Sequence, residues 1–309
     1  MKALVTTDDA DNADGRLRLD PVDEPEPLPG QALIAVSAVA VNRGELSVLD
    51  ELPPGSRIGW DVAGTVLRPA ADGSGPAVGT RVVGLADRDG WAERVALDTR
   101  RLARLPDAVD WAAAAALPVA GLTALYALQR AGRLLGRTVL ITGAGGGVGR
   151  AAVQLASAAG AHVIAWVGSP DRATGLAALG ADVVATYGTD PGVPVDILLD
   201  SCGGTVLTRA FESVAPGGSV VVYGNTARAE LRLPRDWGRA RPGVSLHYVF
   251  LFDEITRHDV GHDLAFLLQL VTEERLDPQV ALVGSWTDPA PALRCLDRRQ
   301  VNGKVVLAL

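Results

Sequence analysis

The stretch Thr138–Gln154, TVLITGAGGGVGRAAVQ, reads as a short apolar strand, a glycine cluster and the opening of a helix. That order suits a dinucleotide. Glycines permit a tight turn and a close approach of backbone to a pyrophosphate, and the helix N-terminus then faces the negative charge. Aligned to end at Gly149, the fingerprint positions are Ala144, Gly146 and Gly149, so alanine stands where the first glycine is usual. Alanine serves there if its φ is negative, and Gly143 and Gly145 on either side keep the loop permissive.

Downstream, strands alternate with helices. HVIAWV (His162–Val167) leads to a short helix and Gly180, followed by ADVVATY, VDILLDS, a helical TVLTRAFESVA and, after a Pro216-Gly217-Gly218 turn, GSVVVYG. This βαβαβ alternation predicts an α/β fold with a doubly wound parallel sheet. VSLHYVFLF at Val244–Phe252 adds an edge strand, a last helix runs near His262–Glu274, and KVVLAL closes the chain as a strand. Upstream, to about Leu117, the texture is different: Pro-, Gly- and Asp-rich, with short runs QALIAVSAVAV, DVAGTVL, TRVVGL and WAERVAL at the spacing of a twisted all-β module.

Composition narrows the partners. A chain of 309 residues, 48% hydrophobic, is long enough for two domains at roughly 100–200 residues each. The net charge of −7 and the lack of a basic run argue against nucleic acid and anionic lipid as partners. Two distant cysteines, Cys202 and Cys295, suggest neither a disulfide framework nor a thiolate metal site, which fits a reducing cytoplasm. The N-terminal MKALVTTDDADNADG turns acidic without an apolar core and does not read as a signal peptide. The uncharged run Trp111–Leu128 is alanine-rich and interrupted by Pro118, so it reads as buried helix and loop rather than a membrane span.

The end of the second parallel strand selects the cofactor. NAD sites place a carboxylate there for the ribose hydroxyl, whereas NADP sites replace it with groups that receive a 2′-phosphate. In AWVGSPDR, Val167, Gly168 and Ser169 occupy the region and Arg172 follows one turn later. NADPH is therefore the expected cofactor, with Asp171 as the competing ribose ligand for NADH.

Taken together, VNRGEL (Val41–Leu46), GWDVAGTV (Gly59–Val66), VGTRVVGL with GWAERVAL, LPVAGLTALYAL, the glycine loop with its helix, LGADVV, LDSCGG, APGGSVVVYGN and the terminal GKVVL resemble the medium-chain dehydrogenase/reductases over nearly the whole chain, and within them the zinc-free quinone oxidoreductase and enoyl reductase branch. The resemblance implies a GroES-like β-rich catalytic domain from residues 1–117 and 253–309, a Rossmann domain from 118–252, and an active site in the cleft between them. It also implies cofactor contacts from Thr123, from Gly146, Gly147 and Val148 in the loop, from Tyr187 near the adenine, and from Ser201, Gly224 and Asn225 at strand ends. Tyr187 also reads as a core aromatic, and Cys202 as a small buried residue.

Zinc members of the family carry ligands where this chain has Asn42, Trp60 and Val119, a set unsuited to the metal, so no catalytic metal is expected. His258 and His262, four apart, read as a polar helix face. Without a Lewis acid, hydride transfer suits a conjugated acceptor, an enone, enoyl thioester or quinone, whose developing oxyanion needs only hydrogen-bond donors. Asn42 is the first candidate donor. Arg43 either adds positive potential or pairs with Glu45 or Asp61, and Trp60 is either a pocket wall or core. Tyr126 and Tyr248 are alternative acids, with water a third. The expected function is an NADPH-dependent, zinc-independent reductase, acting as a homodimer through GVSLHYVFLF. The alternatives are a non-redox enzyme such as a cyclase on the same fold, and a nucleotide-dependent binding or sensor protein.

Overall fold

The computed structural model describes residues 1–8, 16–233 and 235–309, so the 9–15 part of the acidic N-terminal stretch lies outside the described residues. The chain divides into two compact units, Met1–Leu122 with His258–Leu309, and Thr123–Arg257.

The first unit opens with an antiparallel pair, β1 (Lys2–Thr6) and β2 (Leu17–Pro21). Its main sheet uses β3 (Gln31–Val41), β4 (Asp61–Arg68), β5 (Arg81–Leu85), β6 (Arg94–Asp98) and β7 (Leu102–Arg104), joined from the end of the chain by β14 (Val280–Ser285) and β15 (Lys304–Ala308). The order is β14-β15-β3-β4-β5-β7, with β6 also paired to β3. The strand β3 alternates little and is almost wholly buried, because it has neighbours on both edges and packing on both faces. A short helix α1 (Arg43–Leu49) follows it directly, then α2 (Trp111–Ala115) and α3 (Pro118–Ala131), which starts on the proline as helices readily do. The core centres on Ile34, Val39, Val62, Trp91, Val305 and Leu307.

The second unit is a parallel sheet of β8 (Thr138–Thr142), β9 (His162–Val167), β10 (Val183–Thr186), β11 (Val195–Asp200), β12 (Val214–Val222) and β13 (Ser245–Tyr248), in the order β10-β9-β8-β11-β12-β13. The order reverses between β8 and β11, the switch point at which such sheets bind ligands. The helices are α4 (Gly147–Ala158), α5 (Gly204–Phe211), α6 (Trp237–Ala240) and α7 (Leu251–Glu254), and α8 (Val260–Thr272) and α9 (Ala290–Asp297) belong to the first unit.

Two elements differ from the sequence reading. The edge strand expected to Phe252 stops at Tyr248 and turns into α7, because β12, its ladder partner, ends at Val222. The turn buries Leu251 and lets Glu254, 3% exposed, take a two-pronged hydrogen bond from Arg130 at 2.8 and 3.0 Å. The helix expected through Ala215 ends at Phe211, since Val214 already pairs with Val195 as the start of β12.

Candidate functional site

In the second unit the carboxyl ends of β8, β9, β11 and β12 gather the residues that the sequence assigned to a dinucleotide. Gly143 leaves β8 at φ +64, which glycine adopts without strain, while Ala144 is fully buried and keeps out of the positive-φ region. Gly146 is the N-cap of α4 and has no side chain to satisfy the helix's first N–H groups, which leaves them available to an anion. Gly149 allows the helix to close on the loop: a Cβ there would lie 2.5 Å from the Gly143 carbonyl.

Arg172 is seated against this loop. A Cβ at Gly145 would meet the Arg172 carbonyl at 2.7 Å and its Nε at 3.3 Å, so bare backbone at Gly145 is what admits the arginine. Ser169, in extended conformation, caps the short 3-10 turn that carries Arg172. Tyr187 lies half-buried with its ring over Gly168, and its hydroxyl is 3.2 Å from the Cys202 thiol. Burial pushes that thiol up, so Cys202 is held as a neutral, small buried group. Ser201 packs against Gly143 and Gly224, and Asn225 packs on Gly203 while its amide donates to the Ala229 carbonyl at 2.8 Å. Thr123 is buried in α3. Gly147 and Val148 form the first turn of α4.

Three residues that brace this edge escaped the sequence reading. Thr142 donates to Asp200 at 2.6 Å, and Asp200 also accepts from the Gly203 N–H at 2.8 Å, which ties the end of β8 to the end of β11. Burial raises the Asp200 carboxyl above the usual range. Arg150, buried on α4, donates to the carbonyls of Gly145 (3.4 Å) and Thr174 and so fastens the loop to the segment bearing Arg172. The signal was available in principle, for an arginine among the alanines of a buried helix face needs partners.

In the first unit, the residues expected to replace a zinc set form a closed polar cluster. The Asn42 amide nitrogen donates to Asp61 (2.9 Å) and Glu45 (3.2 Å), and its oxygen accepts from the Lys304 ammonium at 2.6 Å. Lys304 also donates to Asp61 at 3.0 Å, while Asp61 takes the Val119 N–H at 2.7 Å. Glu45 accepts from the N–H groups of Asn42 (2.7 Å) and Trp60 (2.8 Å). Glu45 and Asp61 are fully buried and Lys304 is 3% exposed. Burial, with the Asp61 charge beside it, pushes Glu45 up to about 8, against the pull of the Asn42 hydrogen bond and Lys304.

This corrects one assignment. Asn42, read from sequence as a donor to substrate, spends its amide hydrogens inside the cluster and caps α1. Arg43, read either as a source of positive potential or as a partner of Glu45 or Asp61, donates to the Leu296 carbonyl at the end of α9, at 2.7 Å. Glu45 and Lys304 were missed. The clue lay in lysine usage: the chain has only Lys2 and Lys304 among 29 basic residues, so a lysine inside GKVVL stands out. Trp60 is half-buried, its ring over Gly44, where a Cβ would come within 2.9 Å. It borders a hollow of about 410 Å³ lined by Val48, Leu52 and Ile58 together with Arg57, Arg88, Asp87 and Asp89. Among the described residues no group of three or more His, Cys, Asp or Glu is arranged to hold a metal, and no helix is long and apolar enough to cross a membrane.

Residues 28–128 match the alcohol dehydrogenase GroES-like domain, and residues 179–307 match the zinc-binding dehydrogenase family. The quinone oxidoreductase from Thermus thermophilus, solved also with NADPH, is 31% identical with a TM-score of 0.85, each chain covered in full. The CurK enoyl reductase is 25% identical with a TM-score of 0.85 over 99% of both chains. Erythronolide synthase EryA2 of Saccharopolyspora erythraea is 34% identical over 90% of this chain and 8% of its own length. The chain spans between 5% and 14% of the length of such polyketide synthases. With the glycine loop at the switch point of a parallel sheet in one unit and a GroES-like β module in the other, the chain belongs to the medium-chain dehydrogenase/reductase superfamily, among its quinone oxidoreductases and enoyl reductases.

Proposed function

We propose that the protein is an NADPH-dependent reductase of activated C=C bonds or quinones that works without zinc. The observation that carries the reading is Arg172 held against Gly145, beside the N-terminus of α4 and one short turn beyond Ser169. The first N–H groups of α4 hold the pyrophosphate, and Ser169 and Arg172 receive a 2′-phosphate. Bound NADPH supplies the hydride for an electron-poor double bond or quinone ring.

The residues of the first unit prepare the acceptor. Trp60, Val48, Leu52 and Ile58 give it an apolar wall, beside which Arg57 and Arg88 stand with Asp87 and Asp89, Arg57 lying 4.0 Å from Asp89. Asn42 holds the turn into α1 and acts by positioning, not by touching substrate. The cluster does not suit zinc: its cation is the Lys304 ammonium, already bound to Asn42 and Asp61, and neither Trp60 nor Val119 offers a ligand side chain. No step is routed through a metal.

The enoyl reductase form is favoured by the match to CurK enoyl reductase and by alignment with polyketide synthases, the quinone form by the Thermus enzyme. NADPH oxidation against a panel of quinones, enones and enoyl thioesters decides between them. Turnover of at least one class, unchanged by chelator and with less than about a tenth of an equivalent of zinc per chain, is the expected result. NADPH binding without turnover of any panel member points to the sensor or non-redox alternative, and one zinc per chain overturns the metal-free assignment.

A further inference from the structure

We propose that a hollow on the α5 face of the parallel sheet is a second ligand site, built for an organic monocarboxylate with an apolar body. The hollow arises from the connection between β10 and β11. These strands are separated in the sheet by β9 and β8, yet residues 187–194, eight in all, join them. A parallel crossover ordinarily takes a dozen or more residues and lays a helix over the face that it crosses. Here no helix is formed, and a space of about 800 Å³ remains, a size common among small-molecule pockets.

Its lining is apolar at Val193, Val214 and Pro216, and Trp166 lies among the lining residues. Trp166 is 2% exposed, and its indole N–H has no hydrogen-bond partner among the described residues. The Nε–H of Arg241, on the wall, is likewise buried and unpartnered, although the same guanidinium donates to the Glu212 carbonyl and lies 5.6 Å above the Phe211 ring. Arg209, in the last turn of α5, lies against the bare face of Gly188, where a Cβ would come within 2.7 Å of Nη1. Among the described residues it is in no ion pair. Two buried donors, the Trp166 N–H and the Arg241 Nε–H, thus stand without an acceptor, and the exposed Arg209 adds a positive charge to the lining. Buried donors left unpaired are costly, and a carboxylate is an acceptor suited to an indole N–H and to a guanidinium alike. The acidic side chains at the mouth, Asp190 and Glu212, are exposed, and Asp190 accepts from the Gly192 N–H at 2.9 Å. They disfavour a second negative charge on the outward end, which limits the ligand to one carboxylate, carried on its buried end.

The test uses 2-naphthoate, titrated calorimetrically into the full chain with NADPH in excess to keep the probe off the nucleotide edge. One site per chain with submillimolar affinity is expected. Trp166→Phe, which keeps an aromatic ring and removes the N–H, and Arg241→Gln should each weaken binding about tenfold. The uncharged 2-naphthamide should bind about tenfold more weakly than the acid. Should Trp166→Phe fail to fold, Arg209→Gln, a surface change, takes its place with the same expected direction. Absence of binding in the millimolar range, or equal affinity in the wild type and the folded variants, overturns the proposal.

Discussion

Lys304 shows how much rests on single residues. Its ammonium is the counter-ion of a buried carboxylate and the donor to a buried amide oxygen, both within 3.0 Å. Lys304→Met roughly keeps the volume and removes the charge, leaving the buried Asp61 carboxyl without its counter-ion. Urea unfolding should show a loss of about 3–5 kcal/mol, the scale found on breaking a buried pair from one side. Glu45 gives a pH signature. Its carboxyl ordinarily titrates at 4.5 and is pushed up to about 8 by burial and Asp61. The folded protein therefore holds this proton over a pH range in which the unfolded chain has released it. The associated stability is complete below about 4.5 and is lost as pH rises through about 8. Unfolding midpoints measured from about pH 5 to 9 should fall through that window, and Glu45→Gln should flatten the fall. A wild-type profile as flat as that of the variant would show that Glu45 titrates normally.

At the scale of elements, the turn from β8 into α4 and the turn after β9 act together, because Arg150 hydrogen-bonds the backbone of both. The discriminating contact belongs to this pair. A charge-assisted hydrogen bond from Arg172 to a 2′-phosphate contributes about 1.5–3 kcal/mol, equivalent to NADPH preferred over NADH by about one to two orders of magnitude. Fluorescence titration of both nucleotides should find Arg172→Ala weakened toward NADPH by that factor and almost unchanged toward NADH. Ser169→Asp should go further by repelling the phosphate while accepting from a free ribose hydroxyl. Equal losses toward both nucleotides would place the phosphate elsewhere.

Across the molecule as a whole, β13 is the outer strand of the six-stranded sheet, and its neighbourhood leaves Leu246 40%, Tyr248 65% and Phe250 54% exposed. An open edge with exposed apolar side chains invites pairing, and a two-fold axis lets two copies pair the same strand. Light scattering at micromolar concentration should give a dimer, and Leu246→Lys with Tyr248→Lys should give a monomer of unchanged thermal stability within the protomer. A wild-type monomer would refute this interface.

What could be read along the chain is what depends on near neighbours. The glycine spacing at 143–149, the strand before it and the helix after it are local, and the periodicity of two against that of 3.6 separated the β module from the alternating half. The position of Ser169 and Arg172 just after β9 was legible because the end of that strand lies a fixed distance beyond the loop. The rest waited on the folded chain. Lys304 and Asn42 are 262 positions apart and meet only because β15 pairs with β3, so the Lys304 contact that closes the cluster could not be read from either segment alone. Arg43 turned to Leu296 for the same reason. The end of β13 was set by where β12 stops, and the hollow beside Trp166 by a crossover too short to carry a helix. Periodicity reports which face of an element is buried, but it does not report the partner, and hydrogen bonds between distant strands are settled only when the sheet closes.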